Sequence, residues 1–311
     1  MAIDIVWDME TGDPDDFLTL LFLAGHPDVT LRAVTVTPGG ADQIAVVRWA
    51  LAALELPDVV VGGFTPPREQ EELDRERKGQ VLDRVSGWHW RAYDIPKVRD
   101  YDVLPGWEVL RDHLGEGVTL VTGGPLKNIG ALLSEPGDAP LGRLFAQGGF
   151  AGDNIVPPQR RLAKFDGMLT CPTFNLNGAP QAALAAAVSP RFSQRRFISK
   201  NVCHGVYYDP QLHQTVAAAI AVMPESRHRR SLSLIWQGMA EYLRRKSGGK
   251  KFHDPLAAAC ALDPGLAEWA EVELYRERGK WGAKAAPGSG TWIITGYRRE
   301  RFIEVLLGAG R

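Results

Sequence analysis

Residues 3–25 read IDIVWDMETGDPDDFLTLLFLAG, and the order of residue types in that stretch decides the fold. Ile3 to Trp7 is a β-branched, apolar run that predicts a strand, and Asp16 to Ala24 predicts a helix. Between them, Gly12 and Pro14 call for a tight turn. The same grammar continues outward. Leu31 to Thr37 reads as a second strand, Ala41 to Leu54 as a helix, and Val59 to Val61 as a third strand closing on Gly62 and Gly63. Val118 to Val121 runs into Gly123, Gly124 and Pro125 and then a helix from Leu126 to Leu133, while a helix from Pro180 to Val188 precedes the strand Arg196 to Ser199. Alternation of this kind predicts an α/β fold, Rossmann-like, with a mostly parallel central sheet and helices on both faces. Such sheets bind ligands at the carboxyl ends of their strands.

The chain has 311 residues, 36 basic and 37 acidic, so a formal charge of −1 gives it no global field for nucleic acid or an anionic membrane. With 45% hydrophobic and 23% charged residues it has the composition of a chain that folds around a sizeable core. No linker divides it, which predicts a single α/β domain over residues 1–311 with loop insertions near 66–100 and 150–172. The first eight residues lack the basic start and long apolar stretch of a secretory signal, and the longest apolar run, Phe17 to Gly25, is too short to span a bilayer. Cys171, Cys203 and Cys260 are widely spaced and form no CxxC pair, so they indicate neither a disulfide framework nor a zinc site. A cytoplasmic protein with no nucleic-acid or membrane partner is expected.

What breaks this evenness is the turn itself. Asp8, Glu10, Asp13, Asp15 and Asp16 fall within nine residues, where an acid about every eight residues predicts roughly one. Asp15 or Asp16 alone could cap the helix that follows. With Asp8 and Glu10 at the preceding strand end, the repulsion is better explained by a hard cation such as Ca²⁺ or Mg²⁺, which supplies the positive charge that no nearby Lys or Arg provides.

Asp8, Glu10, Gly12, Asp15 and Asp16 resemble the DxDxGxDD signature of the inosine-uridine-preferring nucleoside hydrolases, calcium-dependent enzymes that cleave the N-glycosidic bond of ribonucleosides. Later segments match in the family's order. Gly124 to Asn128 (GPLKN) resembles its GPLTN turn, Gln147 to Gly149 (QGG) its MGG, Thr173 to Asn175 (TFN) its EFN, and His253 to Pro255 its HDP motif. The resemblance covers residues 3 to about 264. It implies a Ca²⁺ site formed by Glu10, Asp16, Asp254 and the carbonyl of Gly123, with Thr122 as the off-by-one alternative. It also implies Glu10 as general base, Asp15, Asn154, Thr173 and Asn175 at the ribose, and a substrate-facing role for Asp254. His253 either protonates or orients the leaving base or simply packs beside Asp254. His89, within Trp88–His89–Trp90, falls near a base-side loop of the family, although a Trp-rich stretch is equally a packing signal. The partner is then a small nucleoside-like molecule, and the family's habit suggests a homodimer or homotetramer.

The departures are specific. Asp13 and Pro14 add a residue to the turn, Glu10 replaces a shorter Asp, Gly40 stands where the family has a ribose-binding Asn, and Thr173 replaces the Glu of EFN. Asp13 is a solvated acid or an extra ligand. The loss of a carboxylate at Thr173, together with Arg160, Arg161 and Lys164 in the insertion between Asn154 and Asn175, suggests a sugar-modified and anionic substrate. Two other classes compete: a Mg²⁺-dependent phosphohydrolase, whose nucleophile usually sits in DxDxT whereas this chain has Asp-Met-Glu-Thr-Gly, and a non-catalytic nucleoside or sugar binder on the same fold.

Overall fold

In the computed structural model, which describes residues 2–64, 85–96 and 103–308, the opening strand runs through the middle of an 11-stranded sheet. The strands are β1 (Ile3–Met9), β2 (Val29–Val36), β3 (Val60–Gly63), β4 (Leu104–Pro105), β5 (Thr119–Thr122), β6 (Gly142–Gln147), β7 (Thr170–Cys171), β8 (Phe192–Ile198), β9 (Tyr207–Tyr208), β10 (Lys250–Lys251), β11 (Ala267–Glu277), β12 (Lys280–Ala285) and β13 (Thr291–Tyr297). Their order in the large sheet is β4-β3-β2-β1-β5-β6-β8-β13-β11-β12-β7, while β10 pairs with β9 separately. From β4 to β13 every pairing is parallel, and β11, β12 and β7 add an antiparallel edge. The mostly parallel α/β reading therefore holds. The β11–β12 hairpin was not foreseen, because its turn at Arg278 and Gly279, both with positive φ, lacks the usual Asn or Asp first residue.

β1 leads to β2 on one side and is flanked by β5 on the other, which makes its carboxyl end the switch point of the sheet. Val6, Trp7, Asp8 and Met9 are buried because helices cover both faces. The helix Pro14–Gly25 begins with Pro at its first turn and places Asp15 and Asp16 where the helix dipole favours anions. It is buried along its whole length, packed against the helices Arg227–Arg245 and His253–Leu262. That second contact brings Asp254 to the acidic turn from the far end of the chain. Among the described residues no helix is long and apolar enough to cross a membrane.

Of the expected insertion at 66–100, residues 65–84 and 97–102 lie outside the described residues. Within the remainder, the short helix Gly87–Ala92 packs inward. Trp88 and His89 meet the Phe17 ring edge-on, and Trp88 Nε1 donates to Gly238 O at 2.9 Å. The aromatic stretch is thus core. Burial pushes His89 down to about 4, so it is neutral at pH 7. Because the unfolded chain gains that proton below its ordinary value of 6.5, stability is lost as pH falls from there toward 4. Between pH 7 and pH 5 this site should cost about 2 kcal/mol. Urea denaturation of His89→Phe should show a correspondingly flatter acid limb, and an unchanged slope would remove His89 as its cause.

Candidate active site

The five acids of the turn divide into three environments. Asp8 is fully buried and saturated with donors: Thr35 Oγ1 at 2.6 Å and Asn128 Nδ2 at 2.9 Å on Oδ1, and Thr122 Oγ1 at 3.0 Å on Oδ2. Burial pushes it up to about 6 despite these bonds, and its position clamps β1 to β2, β5 and the helix Lys127–Ser134. Asp13 and Asp15 share Lys250, whose Nζ lies 3.0 Å from Asp13 Oδ2 and 2.9 Å from Asp15 Oδ1. Asp13 is half exposed, so it is a lysine-paired rim residue and not a member of the inner cluster. Burial alone would raise Asp15, but the Lys250 ammonium overcomes it and holds the carboxyl below its ordinary value. This corrects the expectation that no nearby cationic side chain balances the turn.

In the third environment, among the described residues, Asp15 alone has such a partner. One carboxylate oxygen from each of Asp15, Asp16 and Asp254 lies within 4.8 Å of the others, all buried. Burial, then Asp254, Glu10 and Asp15, raises Asp16 well above its ordinary value. Burial, then Asp15, does the same to Asp254. Glu10 stands beside them, its backbone N–H donating to Asp16 Oδ1 at 3.1 Å and its carboxylate accepting from Gly12 N. Burial, reinforced by the charges of Asp15 and Asp13, pushes Glu10 up to about 7.

These acids form one end of a cavity of about 390 Å³ lined by Glu10, Asp15, Asp16, Gly123, Thr173, Asn175, His253 and Asp254, together with Gly12, Asp13, Gln147, Phe174, Lys200 and His204. Its walls are the end of β6 and the segments that follow β1, β5, β7, β8 and β10. Gly123 must be glycine here, since a Cβ would stand 2.7 Å from Asp16 Oδ1 and 2.9 Å from Asp254 Cγ. The Asn175 amide reaches Gly123 O and, at 2.7 Å, Gln147 Oε1, tying the ends of β5 and β6 together. Thr122 points its hydroxyl at Asp8 and does not line the cavity.

Among the described residues, three buried polar atoms on this cavity have no hydrogen-bond partner: Asp254 Oδ1, Thr173 Oγ1 and His253 Nε2. Unpaired buried acceptors and donors are costly unless a ligand completes them. The donor set is oxygen throughout, three buried carboxylates, a nearby Glu and a backbone carbonyl, and it fits a hard divalent cation.

Two expected site residues are not brought here. His89 is in the core, and the Asn154 amide donates to Ala283 O at 2.8 Å, away from the cavity wall. The residues that sequence reasoning missed are Lys250, Lys200 and Phe174. Lys250 lies three positions before His253, a proximity that could have been noticed, whereas Lys200 and Phe174 reach the cavity only through the fold.

Fold and cavity together define an α/β protein whose switch-point crevice carries a hard-cation donor set. Comparison with known proteins then gives the family. Residues 5–304 match the model of the inosine-uridine preferring nucleoside hydrolases, and the chain belongs to that family. It is 28% identical over 307 residues to an uncharacterized protein of Aquifex aeolicus (strain VF5), covering 96% of each chain. It is 25% identical over 333 residues to the pyrimidine-specific ribonucleoside hydrolase RihA of Shewanella sp. (strain MR-7), covering 99% of this chain and 96% of that one. Among solved structures, the plant nucleoside hydrolase PpNRh1 superposes with a TM-score of 0.68 at 15% identity, over 100% of both chains. The protein is accordingly an enzyme of the N-glycosyl hydrolase class, whose family acts on small nucleoside substrates, and not a phosphohydrolase.

Proposed function

We propose that the enzyme hydrolyses the N-glycosidic bond of a ribonucleoside with Ca²⁺ at the acidic end of the cavity. The reading is carried by the coincidence of the Asp15–Asp16–Asp254 cluster with three unpartnered buried polar atoms on the same wall. Asp16, Asp254, Glu10 and the Gly123 carbonyl would hold the ion. When bound, a cation of this kind supplies a Lewis-acid centre that acidifies water and gathers vicinal hydroxyls. Glu10, its ionised form favoured by a cation beside it, takes a proton from water at neutral pH. Asp15 stays ionised beside Lys250 and accepts hydrogen bonds from the ribose 2′- and 3′-hydroxyls, which fixes the anomeric carbon in front of the water. Thr173 and Asn175 hold the remainder of the sugar. His253 is pushed down to about 4 by burial and is neutral at pH 7, so its Nε2 orients the departing base and is not a proton store. Carboxylates on the floor stabilise the oxocarbenium-like sugar as the bond to the base lengthens.

Chelation followed by assay of uridine and inosine for free base and reducing sugar tests this. Removal of divalent ions should lower turnover by at least about 10²-fold, with recovery on adding Ca²⁺. Full activity in excess chelator would overturn it.

A further inference from the structure

The end of the cavity opposite in charge to the acidic floor carries an unbalanced group of cations. Lys164 Nζ lies 2.6 Å and Lys251 Nζ 3.4 Å from His204 Nδ1, so the two ammonium groups converge on one acceptor. The His204 ring stacks on His253 at 4.8 Å with the planes 16° apart, and both rings line the cavity. Lys200 also lines it and donates to Pro172 O at 2.8 Å, which sets its Nζ over the chain just before Thr173. Burial and the surrounding charges, His253 first and then the three lysines, push His204 down to about 2, so it adds no charge but accepts from its neighbours. Among the described residues none of these three lysines has an acid partner, whereas adjacent Lys250 has two. One of the three lines the cavity and the other two meet at a side chain that does, and like charges gathered in this way without a counter-ion are unfavourable until an anion joins them.

Arg160 and Arg161, which the sequence suggested for such a role, are engaged elsewhere. Arg160 pairs with Glu268, and Arg161 bonds Val156 O at 3.0 Å and approaches Asp153 at 3.4 Å. Of the insertion's three basic residues, Lys164 contacts a side chain of the cavity wall, that of His204.

We propose that Lys164, Lys200, Lys251 and His204 form an anion subsite, and that the substrate is an N-riboside bearing a phosphate on its sugar, a nucleoside 5′-monophosphate. The inference rests on the nucleoside hydrolase reading above. With the 2′- and 3′-hydroxyls held at Asp15, the 5′-oxygen is the one sugar oxygen left to carry the charge. A phosphate there points away from the carboxylates that would repel it. The reaction leaves the phosphoester intact. The C1′–N bond breaks, water oxygen bonds to C1′, one water proton ends on the base nitrogen, and ribose 5-phosphate and free base are released.

The test compares uridine and inosine with their 5′-monophosphates, using the full chain with Ca²⁺ and following base release. At low ionic strength kcat/KM should favour the monophosphates by at least about tenfold, and the preference should shrink as salt screens the lysines. In Lys200→Met/Lys251→Met the ratio of monophosphate to nucleoside should fall about tenfold or more, and Lys251→Arg should keep it. Faster turnover of the unphosphorylated nucleosides, or a ratio indifferent to the lysines, would overturn the proposal. If neither substrate turns over, the hydrolase reading has failed separately, and calorimetry with ribose 5-phosphate decides the subsite. Binding lost in the double variant upholds it, and no binding to the unmodified chain overturns it.

Discussion

Asp16→Asn and Asp254→Asn should each abolish turnover by at least about 10³-fold, roughly 4 kcal/mol of transition-state stabilisation, while leaving the chelated protein as stable as before or more so. Both halves follow from the same geometry. Each carboxylate is buried within 4.8 Å of two others, has its ionised form disfavoured, and in the case of Asp254 leaves an oxygen without a donor. Neutralising one relieves repulsion in the absence of a cation and removes a ligand in its presence. Asp8→Asn is the internal control. There the carboxylate accepts three hydrogen bonds, and an amide turns one acceptor oxygen into a donor facing donors, at a cost of about 2–4 kcal/mol. Urea denaturation in chelator separates the two behaviours. If the Asp16 and Asp254 variants lose as much stability as Asp8→Asn, the cluster is structural and the metal assignment fails.

That contrast also shows how far the sequence could be read. The strand, turn and helix of residues 3–25 were legible because Gly12, Pro14 and the apolar spacing act locally, and the parallel sheet followed from their repetition. The acidic cluster was visible as composition, but its division into clamp, ion pair and bare cluster was not. Asp8 meets Thr35, Thr122 and Asn128, and Asp15 meets Lys250, only after strands far apart in the chain become neighbours. Asp254 was reached by resemblance, since no local rule pairs residues about 240 positions apart. Trp88 and His89 illustrate the reverse difficulty. An aromatic run has the same residue types whether it stacks on a base or fills a core, and the Gly238 carbonyl that takes the Trp88 proton lies 150 residues away. Arg160 and Arg161 read as free cations because Glu268 and Asp153 are not neighbours in any sequence motif.

Lys250→Met should destabilise the protein by about 3–5 kcal/mol, the range for breaking a buried ion pair by removing one partner. Lys250 is 4% exposed and its three donors go to Asp13, Asp15 and Lys251 O, so nothing else replaces its charge. Asp15, also buried, would then lie beside Asp254 and Asp16, and among the described residues no other Lys or Arg pairs with it. A protonated Asp15 no longer accepts from both ribose hydroxyls, so KM should rise along with the loss of stability. Asp13→Asn should cost less than about 1 kcal/mol, because that carboxylate is half exposed and screened. The decisive variant is Lys250→Met/Asp15→Asn. Removing both charges should restore much of the stability lost in the single variant, because an unpaired buried ion is what destabilises it. Turnover should stay low, because the hydroxyl-binding carboxylate is gone. Urea denaturation and steady-state kinetics on the three proteins give the full cycle. A Lys250→Met protein within about 0.5 kcal/mol of the parent would mean that Asp15 does not depend on the lysine.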